Sequence, residues 1–114
     1  MTNALQPVTQ NAVAPEISHP APDRLIDSNP VFTTWNIEET DNLFAGIWQS
    51  TPGKWRVIYD EWEYFTLTAG HSVITPDGGV PVVLTTGDSY IIRPGFTGTW
   101  EVVETTVKDY VIRL

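Results

Sequence analysis

Short runs rich in β-branched and aromatic residues follow one another from residue 30 to the C-terminus, and no stretch carries a convincing helical period. Residues 30–37, 43–50, 55–59, 62–68, 71–75, 80–84, 89–92, 99–104 and 108–114 each read as strand. Polar or Pro/Gly-containing stretches separate them: 38–42, Thr51-Pro52-Gly53-Lys54, Pro76-Asp77-Gly78-Gly79, Thr85-Thr86-Gly87-Asp88 and the glycine-rich loop 93–98. Asp77-Gly78 is the strongest hairpin signal, since both residues tolerate positive φ. Pro81 places its strand at an edge or makes it start late, because proline lacks the ladder donor. Eight or nine short strands at near-regular spacing predict an all-β sandwich, jelly roll or barrel, and closure would hide edges that this composition leaves adhesive.

The first 22 residues differ. Pro7, Pro15, Pro20 and Pro22 disfavour regular structure there. The expectation is a flexible tail over 1–22, its first ten or so residues disordered, ahead of one domain over 23–114. Val8, Val13 or Ile17 can tack that tail to the barrel wall or to a neighbouring subunit.

Composition narrows the function classes. The 114 residues suit one domain with its own core. The chain has no cysteine, which excludes disulfides, iron–sulfur ligation, thiolate zinc sites and a thiol nucleophile. Fourteen acidic against six basic residues give a formal charge of −8, the wrong sign for nucleic acid or an anionic membrane surface. That charge serves solubility, or attracts a cationic ligand. No run is long enough for a membrane helix and no signal-peptide pattern opens the chain, so cytoplasmic residence is expected.

The candidate chemistry gathers around residues 55–65. Alternation from Val57 and Tyr59 to Glu63 and Phe65 puts these side chains on one face if the intervening turn keeps facing. A carboxylate inside a barrel needs partners, and Glu63 with Tyr59 makes a candidate acid–base pair or a core-fixing hydrogen bond. Trp55, Trp62 and Trp100 offer an aromatic wall for a planar ligand, or ordinary packing. Arg93, expected as the cation nearest the mouth, either forks onto a ligand carboxylate or turns outward to Glu101 or Asp88. Arg56, Lys108 and Arg113 read as surface residues, and His71 and His19 as turn and tail residues. No phosphate loop, nucleophile elbow or triad is present.

Several landmarks agree in order and spacing with a known superfamily. They are Trp48-Gln49-Ser50-Thr51-Pro52-Gly53, then Glu63 with Gly70, then Gly87-Asp88, Ile92 and Pro94-Gly95, then Gly95-Phe96-Thr97-Gly98-Thr99-Trp100-Glu101-Val102 and the closing Lys108-Asp109-Tyr110-Val111-Ile112. Over about residues 24–114 the chain resembles the cupins, most closely the small RmlC-like group that includes the cupin domain of ureidoglycine aminohydrolase. The resemblance implies a double-stranded β-helix, or jelly-roll cupin barrel, and a homodimer. Metal-binding cupins place histidines where this chain has Val57, Tyr59 and Gly98, so no metal and no cofactor is expected. The expected function is binding of a small polar organic molecule in the barrel interior by Trp100, Arg93, Trp55 and Phe65, with Glu63 and Tyr59 as catalytic candidates. The alternatives are an aminohydrolase acting on a ureido compound, a metal-independent isomerase or lyase, and a non-catalytic interaction module.

Overall fold

Two long strands form the spine of the molecule. In the computed structural model, which describes residues 4–114, they are β6 (Trp62–Pro76) and β9 (Thr97–Arg113), paired antiparallel over nearly their whole lengths. The first half of β9 carries β5 (Gly53–Ile58) on its other edge and the second half carries β4 (Leu43–Ser50). Beyond β4 lie β3 (Phe32–Thr40) and β1 (Glu16–Ser18), and beyond β5 lies β2 (Leu25–Asp27). The far edge of β6 takes β8 (Ser89–Ile92) and β7 (Val82–Thr85) end to end. The result is one curled antiparallel sheet, the half-barrel of a cupin jelly roll, which meets the expected fold class.

The spine strands are longer than the sequence reading allows. Residues 62–68 and 71–75 form one strand because a bulge at Thr68–His71 absorbs the interruption and does not end it. Gly70 sits there at φ +96, and a Cβ on it would lie 2.2 Å from the Thr105 carbonyl oxygen. The bulge also switches parity: Glu63, Phe65 and Leu67 point inward before it, Ser72 and Ile74 after it. Residues 99–104 and 108–114 likewise fuse into β9, in which the even-numbered Trp100, Val102, Thr106, Lys108 and Tyr110 are all buried.

Two further expectations are corrected. Glu16–Ser18 is a strand paired to Phe32–Thr34, in a stretch whose prolines argued against regular structure; those prolines flank the three pairing residues and do not interrupt them. The disorder expected for the first ten or so residues includes residues 1–3, which lie outside the described ones. Closure is not realised either: among the described residues no ladder joins β1 or β2 to β7 or β8. β7 and β8 are only four residues each and pair with β6 alone, so they end the sheet as short, blunt edges.

The core lies in the concavity. Phe65, Leu67, Leu84 and Trp100 are fully buried there with Ile74, Ile92 and Val102 around them. Each such side chain contributes roughly 1.5–3 kcal/mol by leaving water. The expected hairpin forms, with Gly79 N–H donating to Pro76 O at 2.9 Å. Asp77 at its tip is held by a two-pronged contact from Arg56 (3.0 and 2.6 Å) and by the Thr97 hydroxyl (2.8 Å). No helix among the described residues is long and apolar enough to cross a membrane.

Candidate functional site

The concave face of β3, β4, β5 and β9 encloses a cavity of about 410 Å3. Odd-numbered residues of β5 and even-numbered residues of β9 face it, which brings Trp55, Val57, Trp100, Lys108 and Tyr110 to its wall. Glu63, second in β6, reaches the same space. Tyr59 lies just past β5 and is held there by the backbone, Tyr59 N–H to Phe96 O and Gly95 N–H to Tyr59 O. The short connection through Asp60 and Glu61 keeps Tyr59 and Glu63 on one side, and the Tyr59 hydroxyl donates to Glu63 Oε1 at 2.7 Å.

The other oxygen of Glu63 faces a lysine. Lys108 Nζ lies 2.8 Å from Oε2, an ion pair in which both side chains are almost completely buried. The contact is close but is not aligned as a hydrogen bond. The ammonium also lies over the rings of Trp100 (4.5 Å), Trp48 (4.7 Å) and Phe65 (4.9 Å). Desolvating two ions costs several kcal/mol each. A single opposite charge, a phenol donor and three ring faces offset that cost here.

Around this pair the polar groups form a chain towards solvent. Tyr110 donates its hydroxyl to Asn36 Oδ1 at 2.8 Å, and Asn36 Nδ2 donates to Glu39 Oε1 at 3.2 Å. Burial, then the charge and hydrogen bond of Glu63, then Glu61, push the Tyr59 hydroxyl well above the ordinary phenol range. Burial, followed by the charges of Glu63 and Glu16, raises Tyr110 to about 12. Both phenols are therefore neutral donors at physiological pH. Trp100 lines the cavity, and its buried Nε1–H has no acceptor among the described residues.

The site does not fit a metal. Among the described residues no group of three or more His, Cys, Asp or Glu is arranged to hold one. Glu63 is engaged by an ammonium and a phenol, and Val57 has no donor atom. At position 98 a Cβ would lie 2.3 Å from the Thr75 carbonyl oxygen, so a histidine cannot stand there without moving β6.

Of the residues singled out in the sequence, Glu63, Tyr59, Trp55 and Trp100 meet at this cavity. Phe65 is fully buried behind it, packed on Trp100 and beneath Lys108. Trp62 lines a different surface hollow with Asp60 and Arg113. Arg93 is exposed and borders a separate apolar groove with Ile74, Leu84 and Phe96. The cation at the cavity is Lys108, which the sequence reading put on the surface. The signal that finds it is parity: if Trp100 and Tyr110 face inward on an unbroken strand, so does Lys108. The broken reading of β9 hid it. Trp48 and Asn36 were missed as cavity residues for want of a register.

A family model described as the EutQ-like cupin domain matches residues 37–110, most of the chain, taking in β4 and β5 whole, the end of β3 and most of β9, so the chain belongs to that family. No curated protein matches it. Among solved structures, a protein of unknown function of the DUF861 family from Pseudomonas syringae pv. tomato is 23% identical over 90% of this chain and 46% of its own, with a TM-score of 0.81. The Clostridium difficile EutQ protein is 18% identical over 74% of this chain and 63% of its own, with a TM-score of 0.67. A DUF861 family protein from Thermotoga maritima is 26% identical over 58% of this chain and 75% of its own, with a TM-score of 0.56. The chain thus spans about half the length of the Pseudomonas protein and under two thirds of the Clostridium one.

Proposed function

We propose that this member of the EutQ-like cupin family is a binding domain for a small polar organic molecule, held in the cavity at the Tyr59–Glu63–Lys108 cluster without a metal. The observation that carries the reading is a buried ion pair at the wall of an open cavity. Replacing a buried ion pair by apolar residues is often neutral or stabilising, so the pair is poorly explained as a device for stability alone. The cavity volume lies within the range of small-molecule sites, and its aromatic walls with a few fixed polar groups are the usual composition of such sites. The aminohydrolase-like activity implied by the resemblance finds no matching donor set here, since Val57, Tyr59 and Gly98 stand at the metal-ligand positions.

A panel of small polar fragments screened by NMR on the full chain tests the reading. Bound fragments are expected to shift the indole N–H signals of Trp100 and Trp48 and to lose affinity in Glu63→Gln. A panel that leaves both indoles unmoved counts against it. Elemental analysis of protein purified without chelator is expected to show substoichiometric metal; about one equivalent of a transition metal would overturn the metal-free part.

A further inference from the structure

The cavity has two ends of different chemistry. At the inner end the available groups are donors. Trp100 Nε1–H has no acceptor although Trp100 is 1% exposed, and an unmet buried donor is costly unless something supplies the acceptor. Lys108 Nζ carries three donors, and its polar contact among the described residues is Glu63 Oε2. At the outer end the available groups are anions. Glu16, Glu39 and Glu61 also line the cavity, and among the described residues no cation pairs with any of them. Counting Glu63 and Lys108 as well, four carboxylates face one ammonium, an excess of three negative charges.

We infer that the ligand is a small organic amine bearing a neutral carbonyl group: its oxygen accepts from Trp100 and Lys108, and its ammonium sits among Glu16, Glu39 and Glu61. This deepens the proposed binding function and rests on it. A carboxylate head is disfavoured, because Glu63 already neutralises Lys108 and a second anion beside it is repelled in a medium of low dielectric. An amine without an acceptor leaves Trp100 unmet, and a neutral amide without an amine forgoes the field of the rim.

Four probes of similar size separate these terms: β-alaninamide, propionamide, propylamine and β-alanine, titrated into the full chain with the Trp100 indole N–H signal as readout. β-Alaninamide is expected to bind at least about tenfold more tightly than each of the others, a tenfold step being the worth of one good polar contact. Its advantage over propionamide is expected to shrink with added salt and in the double variant Glu39→Gln/Glu61→Gln, while propionamide itself is unaffected. Trp100→Phe, read by the indole N–H signal of Trp48 on the same cavity, is expected to weaken both amides and leave propylamine unchanged. Should that variant fold poorly, the ligand series on the unaltered chain decides alone. Propionamide or β-alanine binding as tightly as β-alaninamide overturns the inference but leaves small-molecule binding standing. An unshifted Trp100 signal with all four overturns the inference, while the wider fragment panel still decides the binding function.

Discussion

The one curled sheet presents two concave regions. Between β3, β4, β5 and β9 the inner face carries Glu63, Lys108, Tyr59, Tyr110 and Asn36 among tryptophans. Against β6, β7 and β8 it carries Ile74, Leu84, Ile92 and Phe96, with Arg93 as the only charged group among the described residues on that groove's border. The same strand alternation delivers side chains to both. The first region holds its polar groups by pairing nearly all of them, and the second holds none that need pairing. Buried charge is tolerable only in company, so the first region's members depend on one another and the second region's do not. Mutations should therefore act cooperatively in the cavity and independently in the groove.

The largest expected effect is Lys108→Ala. It leaves the Glu63 carboxylate buried without its counter-ion and should cost about 3–5 kcal/mol in urea denaturation at neutral pH. The double variant Lys108→Met/Glu63→Gln should recover much of that loss. A loss below about 1 kcal/mol for the single variant, well under the cost of stranding a buried charge, would erase the contrast between the regions. Next is Leu84→Ala in the groove, expected to cost about 2–5 kcal/mol through lost burial and a residual cavity. Combined with Lys108→Ala its cost should add, whereas Tyr59→Phe with Lys108→Ala should not.

Tyr59→Phe alone is expected to cost about 1.5–3 kcal/mol by removing a donor to a charged acceptor. It also has a pH signature. The Tyr59 hydroxyl is raised above the ordinary value of 10.0 in the folded chain, so below that value its contribution is fully present. As pH rises further the unfolded chain ionises first, and the contribution is lost as pH climbs through the folded value. The alkaline decline in stability should be shallower in Tyr59→Phe than in the unaltered chain.

The smallest effect belongs to a pair outside both regions. Asp77 is lowered to about 2 by its hydrogen bonds from Arg56 and Thr97. Its contribution is present above the ordinary 3.8 and is lost as pH falls towards 2. The pair is half exposed, so Asp77→Asn should change stability only slightly at neutral pH, and that difference should vanish in acid. A large loss at neutral pH would show that the hairpin tip steadies the groove.

Much of the fold and half of the site were legible in the sequence. Period-two alternation and punctuation by Pro, Gly and Asp identified most of the strands from residue 30 on, and their landmarks pointed to the cupin superfamily, within which the EutQ-like match replaces the aminohydrolase group that the landmarks resembled most. Glu63, Tyr59, Trp55 and Trp100 were found because they stand in local runs whose facing is read over a few residues. Lys108 was not, because its facing depends on whether residues 103–105 interrupt a strand. Val103, Glu104 and Thr105 are all exposed, so locally they look like a loop. Only the partner β6 shows that the backbone continues, by pairing with Val102, Glu104 and Val107 across the bulge at Gly70.

The division follows from the range of the forces. The sequence by itself determined what depends on neighbours along the chain: the β class, the hairpin at Asp77-Gly78, the absence of thiol chemistry and the adjacency of Tyr59 and Glu63. Tertiary structure alone decided what depends on register and burial. It closed Lys108 onto Glu63 from a strand 45 residues away in sequence, left the barrel open at β7 and β8, and sent Arg93 to a different concavity. A lysine is at home on a surface by its own hydration. It is held inside only where a carboxylate and three aromatic rings arrive together from other strands, and no local pattern encodes that meeting.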